Sequence, residues 1–451
     1  MASTYLTRTL GTSTNVYKGT VSHWIKRSGL GSMGTFAAWN NGVSDTNRAY
    51  LNLYNDTIYF YDEANSVVIQ TNRLFRDTSA WYHIVVAWDT SQGTVADRIK
   101  IYVNGVQETS FATANYPSVN STLQFNTSGR TFGLGSYANS GAAAGFFDGS
   151  MANVEFVDGQ QLTPAYFGST DSTTGIWTPQ ASSTISSYGT NGFKLKMDTA
   201  TPGADTSGNT NNFTVGGGTP TLTQGSPSNV YAVFNSLSKN DAGTIVFSNG
   251  NLTVLHSGTD SRYASYSTIG ASSGKWYMEI KIDASSQPDV VVGVGSNVEE
   301  INRLGTYYGT STDPTSVGYF SGDGDKYING NATAYGSAYG TGDIISIAMD
   351  LDNSKLYFRK NNDAWNNSGD PTSGSTGTGA IALTADLTYF MGGSHATTTT
   401  RTSAYSGNFG EGFFGTTAAG TQADDNGQGL FAYDVPTGYY ALNTKNLEAY
   451  G

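Results

Sequence analysis

Cysteine is absent from all 451 residues. No disulfide framework can hold this chain, so core packing and strand pairing must do so. Charge is scarce: Asp, Glu, Lys and Arg together make up 13% of the residues, while aromatics reach 13% as well. A disordered chain would be rich in charge and poor in aromatics, so a folded protein is expected. No stretch approaches the ~18 consecutive apolar residues of a membrane-spanning helix. Basic clusters are missing. With 23 basic against 35 acidic residues the formal net charge is −12, which argues against nucleic acid as a main partner. The opening MASTYLTRTLGTST has no apolar core, and no secretory signal is expected. No long segment carries helical periodicity either.

What is present is turn and strand chemistry. Gly occurs 56 times and Tyr 29 times, and Ser, Thr and Asn are abundant. Short strands joined by Gly, Asn and Ser turns explain this composition better than helices do. Two segments match each other: Trp81–Gly105, WYHIVVAWDTSQGTVADRIKIYVNG, and Gly342–Asn361, GDIISIAMDLDNSKLYFRKN. Each is an apolar strand ending in Asp, a polar turn, then an aromatic-bearing strand that runs into an Asn-containing turn. Ile84, Val86 and Trp88 alternate with His83, Val85 and Ala87; Ile345, Ile347 and Met349 alternate with Ile344, Ser346 and Ala348. Apolar residues on both faces suit strands inside covered sheets. The expected fold is all-β, two tandem antiparallel β-sandwich domains of jelly-roll type. The first spans 1–220, with 169–220 as completing strands or connector, and the second 231–451. The boundary is placed at Pro220–Pro227. Trp81, Trp88 and Tyr102 are assigned to the first core or its edges, Trp276 and Ile347 to the second. Further strands are expected at Thr20–Arg27, at Ala49–Tyr61 around a turn at Asn55-Asp56, at Gly192–Met197, at Lys275–Ile282 and at Leu387–Gly392, with a C-terminal stretch Asn408–Phe414.

Several catalytic patterns lack their context. Gly29–Gly34 matches GxGxxG, but a dinucleotide site needs a helix after the glycines, and TFAAW reads as a strand. Gly270–Gly274 matches GxSxG, yet the strand-like KWYMEIKI follows where a nucleophile elbow needs a helix. Glycoside hydrolysis needs two carboxylates roughly 5–10 Å apart across the sugar, and no strand carries acids paired at that spacing. The four histidines, His23, His83, His256 and His395, are dispersed and give zinc no support. Asp323-Gly324-Asp325 with Asn329 offers oxygen ligands but departs from an EF-hand loop at Tyr327, and a polar hairpin loop is the favoured reading. No catalytic residue, no cofactor and no metal are expected, and calcium is unsupported.

Aromatics form the remaining constellation. Tyr307, Tyr308, Tyr319, Tyr327, Tyr335 and Tyr339 crowd the stretch 305–340 together with Asn329 and Asn331. Tyr in loops can stack on sugars while Asn bonds their hydroxyls. Tyr319, Tyr327, Asn329 and Tyr335 are therefore the candidate binding residues. A subunit interface would have the same composition.

These pieces carry resemblances. WYHIVVAWD, KIYVNG and FFDGSMANVEFVDG resemble a concanavalin A-like or laminin G-like jelly roll. SGKWYMEIKI, VGVG, VGYF and GDIISIAMDLDNSKLYFRKNN resemble a SPRY domain, another two-sheet sandwich. YLTRT, SHWIKR, FGSTDSTTGIWTP, NGFKLKMD, DTSGNTNNFTVGG and GYYALNTKNL, in that order, resemble structural proteins of tailed bacteriophages, particularly marine ones. The resemblance implies a virion component outside the capsid shell: a fibre, a capsid decoration or a tail appendage. It would be made in the bacterial host cytoplasm, sit on the virion surface and serve adhesion or host glycan recognition. Other virion proteins and further copies of the chain are the implied partners, with a host surface glycan as ligand and no membrane insertion. The alternatives are a capsid-cementing protein, a tail-spike carbohydrate depolymerase or, with least support, a secreted adhesin.

Overall fold

The computed structural model describes residues 3–451 except 41, 43–46, 181–183, 238–243, 259–261, 286–288, 299–305, 311–313 and 397–400. The chain is a β protein of almost wholly antiparallel sheets, and it divides into two units, Met1–Leu222 and Thr223–Gly451.

The strands of the first unit are, in chain order, β1 (Tyr5–Thr9), β2 (Lys18–Arg27), β3 (Met33–Trp39), β4 (Ala49–Tyr54), β5 (Thr57–Asp62) and β6 (Val67–Thr71). There follow β7 (Trp81–Asp89), β8 (Ile99–Val103), β9 (Val106–Gln107), β10 (Phe111–Asn115), β11 (Thr131–Leu134) and β12 (Tyr137–Asn139). The last are β13 (Ala142–Ala144), β14 (Gly149–Asp158), β15 (Gly168–Thr170), β16 (Trp177–Pro179), β17 (Phe193–Leu195) and β18 (Thr214–Gly217). An eight-stranded sheet has the order β10-β6-β5-β4-β3-β11-β1-β18, and a six-stranded sheet the order β17-β14-β2-β7-β8-β9.

Side-chain period 2 decides what faces inward. Leu51, Leu53, Ile58 and Phe60 of β4 and β5 join Val21, Ile25, Ile84, Val86 and Trp88 of the six-stranded sheet in one core. The glycine at the middle of this contact has a steric reason. Gly19 lies opposite Trp88, and a Cβ there would come within 2.4 Å of the indole. The outer face of the six-stranded sheet is covered as well. Phe167 and Tyr188, from the chain after β14, pack on Val85 and Val157. Trp177 Nε1 donates to His83 Nδ1 at 2.8 Å. The expectation of apolar residues on both faces of β7 follows from this cover.

In the second unit the larger sheet runs Thr244–Ser248, Thr253–Gly258, Arg401–Asn408, Lys275–Ser285, Ile344–Asp350, Lys355–Lys360 and Ile381–Ala382, with Tyr440–Ala441 pairing parallel to Lys275–Ser285. The smaller sheet runs Tyr263–Tyr266, Phe390–His395, Val290–Gly295, Val317–Phe320, Asp325–Ile328 and Asn331–Ala334. Trp276 and Ile347 sit in the core between them. A short helix, α1 (Thr444–Tyr450), is capped by Asn443, whose side chain accepts the Asn446 N–H. Among the described residues no helix is long and apolar enough to cross a membrane.

Several strands depart from the sequence reading, and two of them show why. The strand expected at Leu387–Gly392 lies at Phe390–His395, because it runs on through Gly393 to His395. A Cβ on Gly392 would meet the Ser265 carbonyl, and one on Gly393 the Tyr405 ring, so close neighbours demand these glycines. Arg401–Asn408, rich in Ser and Thr, is a strand where none is expected, and the stretch Asn408–Phe414 keeps only the short Phe413–Phe414. The loop readings of the two glycine motifs agree with the structure. Gly29–Gly34 leads into β3, and Gly270–Gly274 into Lys275–Ser285.

Candidate functional site

The four candidate residues of the second unit do not form an open surface. Tyr319 and Tyr335 are core residues, corrected here from ligand contacts to packing. In Val317–Phe320 the alternation turns Tyr319 inward, where its ring meets Tyr339 at 4.9 Å and Phe358 at 5.6 Å and its hydroxyl donates to the Ser337 carbonyl. Tyr335 OH accepts the Phe358 N–H at 3.3 Å, and Tyr339 OH donates to the Tyr319 carbonyl at 2.6 Å. Burial drives the Tyr335 hydroxyl far above the usual phenol range. Tyr308 is equally enclosed. Tyr327 is half-buried against Phe320, and Asn329 is exposed. Asn329 has φ +49° and Gly330 φ +76°, the left-handed pair of a tight hairpin turn, so the turn itself accounts for Asn329. Of the stretch 305–340, residues 305 and 311–313 lie outside the described residues.

Three acids of the two units are likewise committed to bonds within the protein. Asp323 Oδ1 accepts the Asp325 N–H at 2.9 Å in a turn. Glu155 is buried between the Tyr188 hydroxyl and Lys194 Nζ. Asp158 Oδ2 accepts the N–H groups of Thr14 and Asn191. Among the described residues no three acidic or histidine side chains converge as a metal ion would need.

An open aromatic surface does exist, on the first unit. It lies on the outer face of the eight-stranded sheet. Tyr50, Asn52 and Tyr54 alternate with the core residues Ala49, Leu51 and Leu53 on β4, and Tyr59 and Tyr61 alternate with Ile58 and Phe60 on β5. The register sets Tyr50 opposite Tyr61 and Asn52 opposite Tyr59. Ring centroids then form a continuous strip: Tyr54–Tyr59 5.3 Å, Tyr59–Tyr61 6.0 Å, Tyr61–Tyr50 4.8 Å and Tyr50–Tyr137 5.8 Å. Tyr54 is 45% exposed, and the other four rings are partly so.

The fifth ring comes from a hairpin, β12–β13, seated on this face. Its base lies so near the sheet that a Cβ on Gly34 would come within 1.9 Å of the Tyr137 nitrogen. Beneath it Trp39, Ala37 and Ala138 form a small apolar cluster against which Tyr50 packs. Arg48 closes one end of the strip. It pairs with Glu63 at 3.2 Å and donates to the Ala138 carbonyl at 3.0 Å and to Asn139 Oδ1 at 3.1 Å. Burial, then the neighbouring phenols, raises the hydroxyls of Tyr50 and Tyr59 above the ordinary tyrosine value; Tyr61 is raised first by burial and next by Glu63. The phenols therefore stay neutral and keep a donor proton. Asn52 Oδ1, in the floor between the rings, is buried and accepts no hydrogen bond from the described residues.

The sequence reading treats Ala49–Tyr61 as two strands around a turn and no more. The signal is nonetheless present: four tyrosines, with Asn52 and Thr57, at the alternate places opposite an apolar face, in two strands joined by Asn55-Asp56, both with positive φ. Such a hairpin puts all four rings on one side.

Comparison with known proteins adds the families. Residues 2–166 match the model of the concanavalin A-like lectin/glucanases superfamily of laminin G type, and residues 275–369 match the SPRY domain. The chain is similar to human Ran-binding protein 9, 32% identical over 96 residues, which are 21% of this chain and 12% of that protein. It is also similar to a Ran-binding proteins 9/10 homolog of Drosophila melanogaster, 27% identical over 127 residues, 26% of this chain and 13% of that protein. The chain thus spans only a small part of the relatives it matches. Among solved structures, the SPRY domain of human HERC1 aligns at 18% identity and a TM-score of 0.29, covering 39% of this chain and 96% of that one. A heptameric SAP-like pentraxin of Limulus polyphemus aligns at 18% identity and a TM-score of 0.28, covering 36% and 72%.

Proposed function

We propose, for a chain that joins a laminin G-like, concanavalin A-type domain to a SPRY domain, that it is a non-catalytic adhesion protein of a phage particle surface. It recognises a host surface glycan through the tyrosine strip of its first unit. The strip carries this reading. Five partly exposed rings lie on one sheet face, beside a buried amide oxygen that accepts no hydrogen bond from the described residues. Tyrosine supplies an apolar body for the C–H surface of a sugar and a polar tip for its hydroxyls, at low entropic cost because the ring has few rotatable bonds. The sheet fixes the backbone that carries the rings before the ligand arrives, which lowers the ordering cost of binding.

The phage setting is supported by the order of the phage-like segments along the chain. A fibre, a capsid decoration or a tail appendage fits it equally, with other virion proteins and further copies of the chain as neighbours. The four histidines are buried, and Asp158, Glu155 and Asp323 are each held by hydrogen bonds within the protein, which suits binding better than hydrolysis.

Replacing Tyr59 and Tyr61 together by Ala tests the reading. Phage particles carrying the variant are expected to adsorb to host cells at least tenfold more slowly, with the melting temperature of the purified chain nearly unchanged. Unaltered adsorption, or absence of the chain from purified particles, rejects it.

A further inference from the structure

Resting on that reading, we infer that the strip takes an extended, uncharged stretch of a linear glycan, laid obliquely over β4 and β5 from Tyr54 towards Tyr137, with Asn52 as its buried hydrogen-bond acceptor. Three observations combine.

The first is shape. The rings follow one another in steps of 4.8–6.0 Å, diagonally from Tyr54 to Tyr59, along β5 to Tyr61, then across β4 through Tyr50 to Tyr137, and the strand-borne part of the strip is only two strands wide, with the β12–β13 hairpin standing on the neighbouring β3. A protein partner would need a broad patch of about 800 Å² on each side. A narrow run of rings fits a polymer of repeated small units, each unit meeting one ring.

The second is charge. Arg48 and Glu63 border the strip and pair with each other, while Asp62, the further acid that acts on Tyr61, is buried and bonded to Asn65 and Gln124. The guanidinium is further engaged with Ala138 and Asn139. An anionic sugar binds where a guanidinium or ammonium is free to meet its carboxylate or sulfate. The other polar groups here are neutral: Asn52, Gln70, Thr57 and the phenols. Gln70 Nε2 is already given to Thr57 Oγ1 at 3.1 Å.

The third is the unmet acceptor. A buried amide oxygen without a donor costs on the order of 1–3 kcal/mol, and native proteins rarely keep one without use. Asn52 Oδ1 is such a group, 6% of the residue being exposed, and it lies between Tyr50 and Tyr54 and across from Tyr59. A hydroxyl reaching between the rings as they part would satisfy it.

The full chain would be titrated by calorimetry with cello-, xylo-, manno- and malto-oligosaccharides of one to six units, and with oligogalacturonates as charged counterparts. For at least one neutral series the affinity should rise by about tenfold or more between two and four units, then level off, and stay constant between 50 and 500 mM salt. Asn52→Ala should weaken that binding by about tenfold while leaving the melting temperature unchanged or higher, since no bond inside the protein is lost. Binding by none of the neutral series, affinity independent of length, tighter binding of the galacturonates, or an unaffected Asn52→Ala each overturns the inference. The two readings fail separately. If Tyr59 and Tyr61 are needed for adsorption but these titrations fail, the ligand class is wrong and adhesion stands. If the titrations succeed and adsorption ignores both tyrosines, the glycan site stands and adhesion is wrong.

Discussion

Trp88 shows how much single residues carry in this fold. It is fully buried, donates from Nε1 to Asn126 Oδ1 at 2.7 Å, and rests on Gly19. Trp88→Ala is expected to destabilise the first unit by about 3–5 kcal/mol, read as a lowered denaturant midpoint. His23 is a different case. It faces the same core side as Val21 and Ile25, and neither ring nitrogen has a partner. Burial lowers its pKa from 6.5 to about 3, and that of His83 likewise to about 3. A base whose folded pKa is depressed takes up its proton more readily when unfolded. Its stabilisation is therefore complete above about pH 6.5 and is lost as pH falls towards 3. His23→Leu should shift the acid-unfolding midpoint of the first unit to lower pH. An unmoved midpoint would show that His23 titrates in water and that the core assignment of its strand face is wrong.

At the scale of elements, the segments that cover the sheets are fastened by buried polar groups. In the second unit Glu279 receives the N–H groups of Ala432 and Tyr433, both at 2.9 Å, and the Tyr277 hydroxyl at 3.0 Å. The segment through Phe431 is thereby pinned to the outer face of the larger sheet, where it packs on Tyr277. Desolvation outweighs these bonds and raises the Glu279 pKa from 4.5 to about 6. A carboxyl with a raised folded pKa contributes most below its unfolded value, and that contribution is lost as pH rises through about 6. The change between pH 4.5 and 7 amounts to about 2 kcal/mol. Glu279→Gln should flatten this part of the stability curve of the second unit, whatever it does to the absolute value. An equally steep curve in the variant would rule the assignment out. In the first unit, Trp177→Phe removes the indole donor to His83 and should speed amide exchange in Gly168–Thr170 and Trp177–Pro179, leaving exchange in β4 and β5 as it was.

At the scale of the molecule, each unit has its own core, so each should melt cooperatively without the other. A fragment Thr223–Gly451 is expected to give a β-sheet circular dichroism spectrum and a single sigmoidal melt. A disordered spectrum would mean that the second core is completed by residues of the first unit. Local patterns alone specify the hairpins Trp81–Gly105 and Gly342–Asn361, the β class and the absence of a helix after either glycine motif. Alternation and turn residues act over a few positions and survive in any context. Which face of a strand meets solvent depends instead on what distant parts of the chain pack against it. Tyr319 and Tyr59 sit in similar short alternating strands, yet Phe358 and Tyr339 enclose the first, while the outer face carrying the second stays open. Arg401–Asn408 has little apolar alternation and is a strand because Thr253–Gly258 and Lys275–Ser285 bond its two edges. Its partners lie more than 100 residues away in the chain, and strand pairing over such distances leaves no mark on neighbouring residues.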